Sequence, residues 1–154
     1  MKAALRLTPV HTSEAEEFLE MAKQHFRELN PAFKPAKDWT NTYFSNIRGN
    51  RGYRLRWIEA QGQRAGFILY GMENHRFLPR KTGAIYELYV VPAQRRKGLA
   101  RECALRVITE LRKLCPSKIQ LEVMMGNTAA SALWKSLGFQ EVSERLVLSC
   151  EIPA

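Results

Sequence analysis

The chain has 154 residues, 45% hydrophobic and 25% charged, the proportions of one ordinary globular domain able to bury its own core. No apolar run approaches the ~20 residues that span a bilayer, and the first six residues lack the apolar centre of a signal peptide, so a cytoplasmic protein without membrane association is expected. The net charge of +9, from 24 Lys and Arg against 15 Asp and Glu, favours anionic partners such as phosphorylated cofactors. The basic residues are spread along the chain with no groove-reading motif, which argues against nucleic acid.

Residues 3–10 read as a first strand. Thr12-Ser13-Glu14-Ala15-Glu16 has the form of a capping box, Ser13 capping and Glu16 following three residues later. The helix it opens carries Phe18, Leu19, Ala22 and Phe26 at helical spacing and ends before Pro31. A second, shorter helix covers 37–47, opened near Asp38 and broken by Gly49-Asn50-Arg51-Gly52. Two strands follow at 53–60 and 64–72, joined by Gln61-Gly62-Gln63 as a hairpin. The polar stretch 73–82 reads as a loop. Residues 84–91 are apolar on both faces, the mark of a central strand covered on each side.

A helix spans 99–114, with Ala100, Ala104, Val107, Ile108 and Leu111 on one face. In 118–125, Ile119, Leu121 and Val123 alternate with Gln120, Glu122 and Met124, a strand pattern. Asn127-Thr128 opens a last helix through Leu137, which Gly138 stops. Residues 139–150 supply one or two final strands. The order is β-α-α-β-β-β-α-β-α-β, with antiparallel strands first and a strand–helix–strand unit making a parallel pair.

Cys103, Cys115 and Cys150 are odd in number and far apart, which argues against a disulfide framework or a zinc site. Cys103 reads as a small buried hydrophobe. His11, His25 and His75 have no metal-ligand spacing, and no Ser/His/Asp signature is present.

The segment between the central strand and the 99–114 helix is the most informative. Arg95, Arg96 and Lys97 stand at the mouth of a helix, where each cation costs about 0.3–1 kcal/mol against the macrodipole. An anion would remove the conflict, because the first-turn N–H groups and the dipole together make a phosphate site. Gly98 has no Cβ and lets backbone and ligand approach closely. The alternative is a solvated charged turn.

This turn, in this strand order, resembles the GNAT superfamily of acetyl-CoA-dependent N-acetyltransferases. The family signature Gln/Arg-x-x-Gly-x-Gly/Ala is matched by Arg95-Arg96-Lys97-Gly98-Leu99-Ala100, and the Val-x-Pro that commonly precedes it by Val90-Val91-Pro92. A second block fits at Asn127, Ala130, position 134 and Leu137-Gly138-Phe139. The resemblance covers most of 53–148. It implies a single α/β domain over 1–154 with the acyl-CoA N-acyltransferase fold: a mixed sheet of six or seven strands flanked by about four helices.

The resemblance further implies acetyl-CoA as acyl donor, with no metal. Its pyrophosphate would lie on the backbone amides of Arg95, Arg96, Lys97, Gly98, Leu99 and Ala100. The strand before the turn would be bulged and splayed from its parallel neighbour, so that backbone groups of Leu88, Tyr89 and Val90 hold the pantetheine arm and the acetyl carbonyl. The Val90 N–H would face the developing oxyanion. Asn127 would contact the cofactor from the other side of the cleft, and Asn is also a good helix N-cap.

The implied reaction is direct attack of a primary amine on the thioester through a tetrahedral intermediate, which requires a general base or a water relay. Glu87, the one carboxylate in the central strand, is the candidate base, or else a structural or substrate-binding carboxylate. Glu122 is the weaker candidate. Tyr86 and Tyr89 would line the acceptor pocket or simply pack. Many family members carry a tyrosine seven residues after the asparagine as acid for the departing thiolate. Here that position is Trp134, whose indole N–H cannot serve as a proton source near neutral pH. Ser131 or a water would stand in, or the thiolate, from a thiol of pKa ~8.5, needs no acid. The acceptor is a small-molecule or protein amine. The alternative function is an acyl-CoA-binding module with weak or no catalysis. C-terminal strands left as an edge would pair with a second copy in a homodimer.

Overall fold

The computed structural model describes residues 4–150. They fall into two compact units, one running to Met124 and one starting at Met125. The first unit is built on a five-stranded sheet in the order β1-β2-β3-β4-β5, formed by Leu5–Pro9, Tyr53–Ala60, Gln63–Asn74, Lys81–Val90 and Ile119–Gln120. Strands β1 to β4 are antiparallel. Strand β5 joins parallel to β4, after a crossover through helix α3 (Leu99–Arg112). Helices α1 (Ala15–Leu29) and α2 (Trp39–Gly49) come between β1 and β2.

Alternation along the strands sorts side chains to two faces. Trp57, Phe67, Leu69 and Tyr89 join Phe18, Leu19 and Ala22 of α1 and Phe44 and Ile47 of α2 in one apolar core. On the α3 side, Cys103, Ala104, Val107, Ile108 and Leu111 are buried. Tyr70 donates its hydroxyl to Glu110 of α3 at 2.6 Å, and Arg54 of β2 pairs with the same carboxylate. Burial, reinforced by Glu110, pushes the Tyr70 phenol up to about 12.

The start of α1 differs from the expected capping box. Thr12–Glu14 forms a 3-10 turn before α1 begins at Ala15, and the His11 N–H donates to the Glu14 carboxylate at 2.8 Å. Glu14 also accepts from Trp57 Nε1 at 3.3 Å and pairs with Arg64, whose guanidinium lies 4.5 Å over the Trp57 ring. A carboxylate with these partners on the sheet fixes the helix start more firmly than the Ser13 hydroxyl would.

The β2–β3 hairpin turns through Gln61 (φ 54°) and Gly62 (φ 73°), the two left-handed residues of a type I′ connection. The ladder then extends past the expected ends, so Glu73, Asn74, Lys81 and Thr82 are paired in β3 and β4 and the 73–82 loop is shorter than its polarity suggests.

Two features of β4 position the site. The register passes from Leu69↔Glu87 to Tyr70↔Ile85, so Tyr86 is an extra, unpaired residue, a β-bulge. The bulge puts Tyr86 and Glu87, neighbours in sequence, on the same α1–α2 side: Tyr86 packs against that core and Glu87 meets His25 of α1. Strand β5 pairs with β4 only before the bulge, at Gly83↔Ile119 and Ala84↔Gln120, so β4 from Ile85 to Val90 has no strand partner on its outer edge among the described residues.

The sheet therefore has five strands rather than six or seven. Residues 139–150 form no strand, and Val142, Leu146, Val147 and Leu148 are each more than 80% exposed. The 118–125 pattern yields only the two residues of β5, although half-buried Leu121 and Val123 still alternate with exposed Glu122 and Met124. The second unit contains α4 (Thr128–Ser136), followed by Gly138 at φ 97°, the left-handed stop expected there.

Candidate active site

The turn after β4 leads from a 3-10 segment at Pro92–Gln94 into α3. Arg96 (φ 62°) and Gly98 (φ 76°) are both left-handed. A Cβ built on Gly98 meets nothing within 4 Å, so the glycine answers to its conformation and the space beside it is open. The first bond of the helix runs from Glu102 N–H to the Gly98 carbonyl at 3.1 Å. The N–H groups of Gly98, Leu99 and Ala100 find no acceptor among the described residues, which leaves the helix mouth equipped to bind an anion.

The three cations there are not equivalent. Arg95 folds back onto the protein: its Nε donates to the Val90 carbonyl at 2.7 Å, and its Nη2 contacts both Glu28 oxygens at 2.8 and 2.7 Å. Its guanidinium lies 5.5 Å from the Tyr89 ring centre. Lys97 donates to the Gln94 side chain at 3.1 Å, and Arg96 is exposed. One of the cations thought to crowd the helix mouth is thus neutralised by α1.

The edge of β4 also divides its residues. Val91 N–H donates to the Ala65 carbonyl at 2.8 Å, which makes Gly66↔Val90 a non-hydrogen-bonded pair of the antiparallel ladder. By the alternation of such ladders, Leu88 and Val90 turn their N–H groups away from β3, toward the edge that β5 leaves open. Tyr89, in register with Phe67, commits its backbone to β3, and its ring is buried beside His25 and Phe67. Of Leu88, Tyr89 and Val90, the first and last turn their N–H groups to the edge and Tyr89 turns its own to β3.

The Glu87 side chain projects from the face of the sheet covered by α1 and α2, where it meets His25. One oxygen, Oε2, lies 2.5 Å from Nε2 of His25. The His25 side chain is 9% exposed and that of Glu87 24%, and Oε1 has no protein partner among the described residues. The Tyr43 hydroxyl of α2 is buried without a hydrogen-bond partner; burial raises its pKa, and the Glu87 charge adds to the rise. The Tyr86 hydroxyl donates to Glu73, its ring centre 4.8 Å from that of Tyr53. Burial, then Glu73, holds that phenol far above its ordinary pKa. Glu122 is exposed beyond β5.

Cys103 is fully buried, and burial pushes its thiol up to about 12, which leaves it inert near neutral pH. In the second unit, the Asn127 side chain accepts from Ala130 N–H at 3.2 Å as the N-cap of α4. Trp134 is buried, its ring centre 5.4 Å from that of Phe139. Among the described residues, no cluster of His, Cys, Asp and Glu could hold a metal, and no helix is long and apolar enough to cross a membrane.

Neither His25 nor Tyr43 is marked as a site residue by sequence motif. A signal for His25 was present: it lies seven residues after Phe18 and three after Ala22, on the buried stripe of α1, where a polar ring requires a partner. Nothing in the sequence marked Tyr43.

A mixed sheet with a bulged fourth strand, an open edge beyond it and a left-handed glycine at the following helix mouth define an acyl-CoA N-acyltransferase fold. The chain belongs to the acetyltransferase (GNAT) family, whose model matches residues 15–139. It is 31% identical over 124 residues to the [ribosomal protein bS18]-alanine N-acetyltransferase of Escherichia coli (strain K12), covering 80% of this chain and 76% of that one. The ribosomal-protein-alanine N-acetyltransferase of Brucella melitensis biovar Abortus 2308 superposes with a TM-score of 0.76 at 16% identity, over 95% of this chain and 99% of that one. Aminoglycoside N-acetyltransferase AAC(6')-Iy, solved in complex with CoA, gives 0.73 at 17% identity, over 98% and 97%.

Proposed function

We propose that this N-acetyltransferase moves the acetyl group of acetyl-CoA to a primary amine by direct attack, with Glu87 as general base. The observation that carries the reading is the unpaired edge of β4 from Ile85 to Val90, running into the open, left-handed Gly98. These supply what an acyl-CoA needs: strand-like hydrogen bonds for an extended arm and orphan N–H groups for a pyrophosphate. The backbone of Gly98, Leu99 and Ala100 holds the phosphates, with Arg96 and Lys97 as solvent-facing countercharges. Arg95 shapes the turn. Leu88 and Val90 take the arm, and the Val90 N–H receives the charge that builds on the acetyl oxygen. Asn127 is assigned to the cofactor on the family resemblance alone. Because the family match crosses the boundary between the two units, both are read as one catalytic domain.

Acetyl-CoA supplies the activated thioester. The amine lone pair forms the new C–N bond, and the C–S bond breaks as the thiolate leaves with its electron pair. Glu87 Oε1, without a partner among the described residues, takes the amine proton directly or through one water. No acid is assigned to the thiolate, because a thiol of pKa ~8.5 is a tolerable leaving group. The acceptor class spans protein N-terminal amines and small amines, the chemistry named for the bS18-alanine and aminoglycoside enzymes.

A second reading, an acyl-CoA-binding module without turnover, is favoured by one feature: Trp134 where the family resemblance leads one to expect a tyrosine. Calorimetry with acetyl-CoA, followed by thiol release with an Ala-initiated hexapeptide, kanamycin and 2-phenylethylamine, separates the two. Binding with amine-dependent thiol release is expected. Binding without release favours the module, and failure to bind overturns both.

A further inference from the structure

We propose that His25 is the positioning residue for Glu87: it ties one carboxylate oxygen so that the other is presented to the acceptor amine. The inference deepens the reading above and rests on it. The bulge at Tyr86 turns Glu87 toward α1, where His25 Nε2 meets Oε2 at 2.5 Å and Oε1 stays unpartnered. The imidazole is itself held by ring contacts at 5.2 Å to Phe26, 5.7 Å to Phe67 and 5.3 Å to Tyr89, between ring centres. It sits on a helix and is 9% exposed, so its rotamer is set by packing. That is the support a reacting group needs to stay within its productive geometry.

A purely structural role accounts for the pair less well. The place of His25 on the stripe of α1 suits an apolar residue, and a buried polar pair seldom adds stability over well-packed apolar side chains of similar volume. Its chemistry lies in the asymmetry it imposes on Glu87. The Tyr43 hydroxyl of α2, its pKa raised by burial and then by the Glu87 charge, is buried without a hydrogen-bond partner, and the hydroxyl of the sequence neighbour Tyr86 is engaged by Glu73. Neither donates to Glu87 in place of His25.

The test compares wild type, His25→Phe, His25→Gln, Glu87→Gln and the double variant Glu87→Gln/His25→Phe, using the best acceptor of the hexapeptide, kanamycin and 2-phenylethylamine. Phenylalanine keeps the ring and removes the nitrogen, so kcat should fall about tenfold or more, with acetyl-CoA affinity and melting temperature little changed. Glutamine can donate from its amide and should restore kcat to within about threefold of wild type. Because His25 acts through Glu87, adding His25→Phe to Glu87→Gln should cost nothing further. An active wild type with His25→Phe at full kcat, or losses that multiply in the double variant, overturns the inference and leaves the proposed function standing. A wild type that acetylates none of the three amines overturns both. Should His25→Phe fail to fold, His25→Met carries the same comparison.

Discussion

Arg95 donates its Nε to the carbonyl of Val90 at 2.7 Å, closing the turn onto the strand it has just left. The same guanidinium pairs with Glu28 of α1 at the surface, so its charge is matched by the protein's own carboxylate. Arg95→Met should weaken acetyl-CoA binding less than about tenfold, through loss of turn order rather than of a phosphate contact, as read by calorimetry. A loss beyond about a hundredfold would mean that the guanidinium turns to the ligand.

Gly98 makes a sharper separation between fold and binding. Its left-handed φ of 76° costs any L-residue roughly 1 kcal/mol. Gly98→Ala should therefore lower the melting temperature by about 2–4 °C. Gly98→Glu should also fold, because a Cβ there meets open space, yet lose acetyl-CoA binding by setting a carboxylate in the anion site. Unchanged affinity in a folded Gly98→Glu protein would refute the assignment.

The cysteines divide by burial. Cys103 is buried with its thiol pushed up to about 12, whereas Cys115 and Cys150 are exposed. Titration with Ellman's reagent at pH 8 should report two thiols in the native protein and the third only on denaturation. Rapid reaction of Cys103 would place it at an accessible site.

Alkaline stability should depend on Tyr70. Its phenol is raised from 10.0 to about 12 by burial and by Glu110, so the folded state holds a proton that the unfolded state releases first. The contribution is fully present below pH 10 and is lost as pH rises toward 12. Tyr70→Phe should flatten the fall of stability over that window in denaturant titrations, whereas an unchanged slope would assign the fall to other groups.

What the sequence revealed, and what it hid, follows from where each interaction is made. The glycine turn is local: one residue with no Cβ, at a helix mouth, beside a strand apolar on both faces, and its chemistry is readable from 84–100. The hairpin at Gln61-Gly62 and the stop at Gly138 are local in the same way. His25 and Glu87 lie 62 residues apart and meet because a one-residue bulge at Tyr86 rotates Glu87 toward α1; side-chain alternation does not announce a bulge. The capping of α1 was misplaced for a similar reason, since Glu14 is claimed by Arg64 and Trp57 from distant strands. The expected strands at 139–150 show the opposite failure. Apolar Val142, Leu146, Val147 and Leu148 are present there, but a strand exists only when its backbone finds a partner, and these side chains stay exposed instead.

Amine-dependent thiol release by wild type and Glu87→Gln, measured alongside acetyl-CoA affinity, tests the role of Glu87 most directly. The predicted result is turnover in the wild type, a fall in kcat of about a hundredfold or more in Glu87→Gln, and equal affinity for acetyl-CoA in both. Full kcat in Glu87→Gln, or acetyl-CoA binding with no release on any amine, would contradict it.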